Sequence, residues 1–326
     1  MNRVVMPLRA MGADITFLEE PGRLPLRVAG AALRGCHHDL AVPSAQVKSA
    51  LLLAGLHAAG RTTIAGSGGS RDHTERMLQT MGLTCATGDP AYGPAGTVGL
   101  DGGARLRAFS LQVPGDPSTA AFFQVAAALV PGSDLLTTGL SLNPTRTGAL
   151  QVLRRAGAQV DITTTGGTAA GEPVGDVRVR WAPPQPFAIG GEEVPALVDE
   201  IPVLSVLATA AAGMTRIAGA AELRVKESDR LALMAVNLAK LGARVVELPD
   251  GLCITGPTRL QGGSRAAPLN LCTEGDHRIA MALAVAALVS DGDSTLDDFD
   301  CVAVSFPQFF AVLAALVDDG ISDRPF

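Results

Sequence analysis

Val152-Leu153-Arg154-Arg155-Ala156-Gly157-Ala158-Gln159-Val160-Asp161-Ile162 decides the fold. It reads as the end of a helix, a glycine where a helix needs a left-handed stop, and a β-prone run leaving in a new direction. The same pattern recurs at residues 7–13, 77–83, 237–243 and 313–320. Its glycines, Gly12, Gly82, Gly157, Gly242 and Gly320, are spaced by 70, 75, 85 and 78 residues. A second pattern alternates with it: a small-residue helix, a glycine turn and a strand, at 49–64, 119–138, 201–217 and 279–296. Each unit is thus helix, strand, polar loop, helix, strand.

The unit around Gly12 holds only its second half. Repeats cover one another's apolar faces, so a series should not start halfway. The expectation is that the chain lacks the beginning of its fold. The cluster Trp181-Ala182-Pro183-Pro184-Gln185-Pro186 interrupts the series and reads as a linker. Two domains are expected, 1–186 and 187–326, which suits 326 residues of which 47% are hydrophobic.

Composition narrows the function. A formal net charge of −6 disfavours nucleic acid as a partner and requires any anion site to be a local cluster of cations. Cys36, Cys85, Cys253, Cys272 and Cys301 are odd in number, widely spaced and form no C-x-x-C, so neither a disulfide framework nor a zinc site is expected. The histidines show no ligand spacing, and no metal is expected. No G-x-x-x-x-G-K-[ST] loop is present, which argues against ATP chemistry of that type. The N-terminus has no signal-peptide apolar region, and no run is apolar enough to span a membrane. A soluble cytoplasmic protein is expected.

Each complete unit carries a polar loop before its second helix: 70–74, 142–147, 224–230 and 303–307. Three of the four place cations at a helix N-terminus, where free N–H groups and the helix dipole already favour anions. Capping is the competing explanation for Asp72, Ser228 and Asp229, and plain solvation for Arg71 and Arg146. The third loop is densest. Lys226, Glu227 and Arg230 lie within five residues, and Lys226 and Arg230 share a face if the stretch is helical. An acid between two cations suits proton movement beside a phosphate. Residues 43–49, 198–202 and 275–278 also open helices with hydroxyl, amide, acidic or basic groups, and each has a capping explanation of its own. Residues 113–118 read as a turn and cap.

Six stretches together resemble one family: Pro43-Ser44-Ala45-Gln46-Val47-Lys48-Ser49-Ala50, Arg71-Asp72-His73-Thr74-Glu75, Val113-Pro114-Gly115-Asp116-Pro117-Ser118, Asn143-Pro144-Thr145-Arg146-Thr147-Gly148, Glu222-Leu223-Arg224-Val225-Lys226-Glu227-Ser228-Asp229-Arg230 and Asp276-His277-Arg278-Ile279-Ala280-Met281. They resemble EPSP synthases (3-phosphoshikimate 1-carboxyvinyltransferases), in wording closer to the glyphosate-insensitive class II branch, in order and from end to end. The resemblance implies an α/β (α+β) two-domain enolpyruvyl transferase fold. Its βαβαββ units repeat with pseudo-threefold symmetry, the first units being incomplete here, and its active site lies in the interdomain cleft. It implies transfer of the enolpyruvyl group of phosphoenolpyruvate to the 5-hydroxyl of shikimate 3-phosphate, by addition and then loss of phosphate. No metal or organic cofactor is implied, and a monomer without nucleic-acid or membrane partners is expected.

Carried over by position, Ser44, Ala45, Gln46 and Arg71 resemble shikimate-phosphate contacts, with Gln46 also near phosphoenolpyruvate. Asp199 resembles the acid that takes the 5-hydroxyl proton. Lys226 resembles a substrate contact near the reacting centre, and Glu227 the group that handles the methylene proton. Arg230 and Arg278 resemble the cations that hold phosphoenolpyruvate. The family's P-G-D-K-S motif, its N-A-G-T loop and the Arg of its K-R-P segment have no counterpart here. Val304 stands where one branch carries Lys. Two other readings compete: an enolpyruvyl transferase acting on UDP-N-acetylglucosamine, and a non-catalytic remnant that binds ligand or a partner.

Overall fold

The computed structural model describes residues 1–85, 87–94, 96–168 and 170–318, which pack as two units. The first takes in residues 1–113 and 166–173. Its order is α1 (Asn2–Ala10), β1 (Asp14–Phe17), β2 (Leu26–Ala29), β3 (His37–Asp39), α2 (Ala45–Gly55), β4 (Arg61–Ala65), α3 (His73–Thr80) and β5 (Val98–Asp101). The second takes in residues 114–165 and 174–326. It begins with α4 (Pro117–Leu129), β6 (Asp134–Ser141), α5 (Gly148–Arg155) and the hairpin β7 (Gln159–Gly167) and β8 (Pro173–Arg180), whose tip groups with the first unit. It continues with β9 (Ala188–Ile189), α6 (Ile201–Ala210), β10 (Gly213–Ile217), α7 (Arg230–Lys240), β11 (Arg244–Leu248), β12 (Gly251–Gly256), β13 (Leu260–Gln261), β14 (Leu269–Leu271), α8 (His277–Leu288), β15 (Ser290–Asp291), β16 (Ser294–Leu296) and α9 (Phe309–Asp318).

The glycine stops work as their sequence dictates. Gly12, Gly82, Gly157 and Gly242 have φ of +98°, +94°, +94° and +87°. Beyond each, the next amide folds back to a carbonyl five residues earlier: Ala13 to Leu8, Leu83 to Leu78, Ala158 to Leu153 and Ala243 to Leu238, at 2.9–3.0 Å. This closure satisfies carbonyls that a helix end leaves bare and aims the chain into the next element. The fifth copy's Asp319 and Gly320 lie outside the described residues. After Gly82 the expected strand does not form among the described residues; β5 supplies the strand that pairs with β4. Gly157→Ala is expected to cost about 1–2 kcal/mol, because a side chain destabilises a left-handed residue. The added Cβ would also lie 3.1 Å from the Pro183 carbonyl. A urea midpoint that does not move would overturn this account of the stop.

The sheets repeat one arrangement. In the first unit β3 runs parallel to β4, and β5 pairs antiparallel on the other side. In the second, β9 runs parallel to β10, which pairs antiparallel with β12, and β12 with β11. Residue Gly115 makes a parallel bridge to Leu140 of β6, and β6 pairs antiparallel with β8. A parallel pair needs a crossover, and the small-residue helices α2, α4 and α6 provide it.

Those crossover helices form the core. In α6 every side chain from Ile201 to Thr209 is buried, and in α4 nearly every one is. A helix apolar all round belongs inside a protein. Ala-rich faces let α4, α6 and α8 pack on one another, and Phe122 meets Phe309 edge to face at 6.0 Å. The packing boundary therefore falls at 113/114, earlier than the irregular Pro-rich stretch, because α4 packs with the helices that follow that stretch. No helix among the described residues is long and apolar enough to cross a membrane.

Candidate active site

In the first unit, two helix starts carry the residues singled out by sequence. Ser44 is the N-cap of α2, its hydroxyl accepting the Val47 amide at 3.4 Å, so the capping explanation holds for it. Ala45 opens the helix half-buried, and exposed Gln46 accepts from Arg3 at 3.4 Å. Arg71 is half-buried, one residue ahead of Asp72, the N-cap position of α3. Asp72 does not cap with its side chain; it pairs with Arg76 at 2.9 Å. One group was invisible in the sequence, because its third member lies 99 residues from His73: Asp72, His73 and Glu172 bring ligand-capable atoms within 4.8 Å of one another. These atoms are already engaged, His73 Nδ1 with Glu172 Oε1 at 2.6 Å and Asp72 with Arg76. The group reads as an ion-pair cluster.

In the second unit, three helix starts converge. Asp229 caps α7 through the Ala232 amide at 3.0 Å, which sets Arg230 as the first helical residue, its side chain 1% exposed. The guanidinium meets three carboxylates. Nε donates to Asp276 Oδ2 at 2.7 Å, Nη2 donates to Glu227 Oε2 at 2.6 Å, and Nη1 lies 3.6 Å from Asp199 Oδ1. From α8, Arg278 Nη2 lies 3.7 Å from Asp199 Oδ2, and Nη1 donates to the Asp199 carbonyl at 3.4 Å. Asp199, just ahead of α6, thus sits between two guanidinium groups. The structure brings Asp199, Glu227, Arg230 and Arg278 together.

It does not bring Lys226 into that cluster. The turn at Ala221–Val225 ends before it and α7 begins after it, so Lys226 and Arg230 share no helix face. The Lys226 ammonium instead donates to Glu222 at 2.7 Å. Arg224 anchors the same loop, pairing with Asp229 at 2.9 Å and Glu247 at 2.8 Å. Arg146 is no solvated surface residue either: it donates to Asp116 and to Ser118, each at 2.7 Å.

Two acids escaped the sequence reading. Asp276 looked like a cap, and it is one, accepting the Arg278 amide at 2.9 Å. It is also the buried counter-ion of Arg230 and accepts from Ser228 at 2.9 Å. Burial alone would push its carboxyl up, but the Arg230 hydrogen bond and charge, with the Arg278 amide and Ser228, outweigh that and hold it below the usual range. Glu200 is 2% exposed, and its Oε1 has no hydrogen-bond partner. Burial pushes this carboxyl up; a hydrogen bond with Ser118 pulls the other way, the neighbouring Asp199 adds to the rise, and the charges of Arg278 and Arg146 oppose it.

A raised carboxyl binds its proton more tightly in the folded chain than in the unfolded one. The stability it contributes is therefore greatest below the ordinary value of 4.5 and falls as pH rises above it. Glu200→Gln does not titrate, so its melting temperature should gain on the parent's as pH rises from about 4 to 8. Parallel melting curves across that range would contradict the assignment.

The family model described as EPSP synthase (3-phosphoshikimate 1-carboxyvinyltransferase) matches residues 1–313. A 3-phosphoshikimate 1-carboxyvinyltransferase of Gloeobacter violaceus is 52% identical over 314 residues, spanning 96% of this chain and 70% of that protein. One of Acidithiobacillus ferrooxidans is 49% identical over 312 residues, spanning 96% of this chain and 68% of that protein. The solved EPSP synthase of Acinetobacter baumannii superimposes with a TM-score of 0.82 at 37% identity, over 98% of this chain and 70% of that one. The enolpyruvyl transferase NikO of Streptomyces tendae shares the fold, with a TM-score of 0.76 at 20% identity over 97% of this chain and 70% of its own. The chain belongs to the EPSP synthase (3-phosphoshikimate 1-carboxyvinyltransferase) family.

Proposed function

We propose that the chain transfers the enolpyruvyl group of phosphoenolpyruvate to the 5-hydroxyl of shikimate 3-phosphate and releases phosphate, as a monomer in the cytoplasm. Residues 1–186 serve the shikimate-phosphate side and 187–326 the phosphoenolpyruvate side. One observation carries the reading: Asp199 lies between Arg230 and Arg278, with Glu227 on the same Arg230 guanidinium. Two planar cations at the positive ends of helices suit a small molecule bearing a carboxylate and a phosphate. Asp199 takes the hydroxyl proton as the oxygen bonds to C2 of phosphoenolpyruvate. Glu227, its side chain 57% exposed beside the cation, delivers a proton to the methylene carbon. The tetrahedral adduct then loses phosphate, the methyl group returning a proton as the double bond re-forms. Ser44, Ala45, Gln46 and Arg71 hold shikimate 3-phosphate, and Lys226 reaches the reacting centre once it leaves Glu222. The test is phosphate release from phosphoenolpyruvate by the purified chain. Release that depends on shikimate 3-phosphate supports the reading. None from folded chain sinks the activity and leaves the family membership standing.

A further inference from the structure

Lys48 and Glu75 form an ion pair inside the first unit, their side chains only 2% and 4% exposed. Lys48 lies on α2, one turn beyond the Ser44 cap, and Glu75 lies in the first turn of α3. Burying two charges is expensive, and the attraction repays it only when further hydrogen bonds satisfy the remaining atoms. That condition is poorly met, because Glu75 Oε2 is buried with no hydrogen-bond donor. The other long side chains buried on α2, Val47, Leu51 and Leu52, are apolar, and an apolar residue at 48 would suit the same helix. Stability alone does not account for it.

Its contacts do. The Lys48 ammonium also reaches the Ser70 carbonyl at 3.5 Å, and Ser70 is the residue ahead of Arg71. Ser70 is itself held in a turn, its hydroxyl on the Ser67 carbonyl at 2.6 Å. The neighbours of the pair in sequence are joined as well, the Ser49 and Thr74 hydroxyls bonding at 2.6 Å. The start of α2, with Ser44, Ala45 and Gln46, is thereby tied to the loop that carries Arg71. The same low-dielectric pocket is felt nearby, where burial first and Glu75 second push the Cys85 thiol up to about 12.

We infer that Lys48 and Glu75 are positioning residues, which fix the Arg71 loop against the start of α2 so that both meet one bound anion. This rests on the reading that Ser44, Gln46 and Arg71 hold shikimate 3-phosphate. It assigns the pair a role in affinity for that substrate and none in the chemical step.

The decisive variant is the double Lys48→Met, Glu75→Leu, which removes both charges at similar volume. A folded chain should tolerate it, since apolar replacement of a buried pair is often neutral or stabilising. The melting temperature is expected to hold or rise. Amide exchange over residues 67–73 should quicken by about ten-fold as the loop loses its tether. KM for shikimate 3-phosphate should rise by about ten-fold with kcat and KM for phosphoenolpyruvate little changed. A purely structural pair would give the opposite split: a lower melting temperature and an unmoved KM. Should the double variant fail to fold, Glu75→Gln takes its place, keeping the volume and removing the charge that fixes the ammonium; the stranded Lys48 is expected to lower the melting temperature, and the rises in exchange and in KM for shikimate 3-phosphate are the deciding readouts. Unchanged exchange over 67–73 in a folded variant overturns the inference. If the parent chain binds no shikimate 3-phosphate, the functional reading fails, and the exchange measurement alone decides the positioning role.

Discussion

Asp199→Asn is expected to lower kcat by about 10²- to 10⁴-fold, the range over which a positioned base contributes. The substitution keeps the volume and the hydrogen-bonding carbonyl while removing the basic oxygen. It should leave the fold intact, because Arg230 retains Asp276 and Glu227, and Arg278 retains the Asp199 backbone carbonyl. An unchanged melting temperature with a collapsed kcat is the expected result, and KM for phosphoenolpyruvate should fall rather than rise. Asn leaves both guanidinium groups less neutralised, which favours an incoming anion. A kcat within a few-fold of the parent's would remove Asp199 from the proposed chemistry.

Arg230→Met should have the largest effect on stability. Its guanidinium is the cation facing Asp276, whose side chain is 0% exposed. Taking one partner from a buried pair strands the other charge, at about 3–5 kcal/mol. The deficit should depend on pH in a definite sense. In the parent, the depressed Asp276 carboxyl contributes stability that is present above the ordinary value of 3.8 and is lost as pH falls through its lower folded value. In the variant, Asp276 is buried without its cation and gains from taking up a proton, so acid relieves the strain. The gap in unfolding free energy between parent and variant should therefore narrow as pH drops towards 4. The double variant Arg230→Met, Asp276→Leu should recover much of the loss at neutral pH. A gap independent of pH would mean that Asp276 is not the group left stranded.

The repeat was legible because its signals are local. A glycine stop depends on a few residues of chain and its own φ, so Gly12, Gly82, Gly157 and Gly242 could be read one at a time. That no strand follows Gly82 among the described residues was not legible, because β-prone residues become a strand only where a partner edge is offered, and β4 pairs with β3 and β5. The converging cations were half legible. Arg230 and Arg278 stood out as charges at helix starts, but their spacing of 48 residues hides that they share Asp199. Asp276 was visible only as a cap, since a sequence shows that an acid opens a helix and not what its second oxygen meets. The shared face of Lys226 and Arg230 hung on a helix through both, and the chain there makes a short 3-10 turn that ends before Lys226, with α7 starting at Arg230. Glu200 carried no sequence signal beyond its position beside Asp199.

The charged groups of the candidate site, Asp199, Glu227, Arg230, Asp276 and Arg278, lie at or just ahead of the starts of α6, α7 and α8, while the bodies of those helices are largely core. Two kinds of selection therefore act on nearly separate sets of positions. The ends can vary with the ligand, and the bodies are constrained by volume, whatever the ligand is. Arg230 belongs to both sets, as the first residue of its helix and among the largest fully buried side chains. A lineage that changed its substrate could rewrite Glu227 or Lys226 by single steps. To rewrite Arg230 it would have to change Asp276 as well, and the intermediate would carry a stranded charge. The position most committed to the present chemistry is thus the one that history can least easily revise.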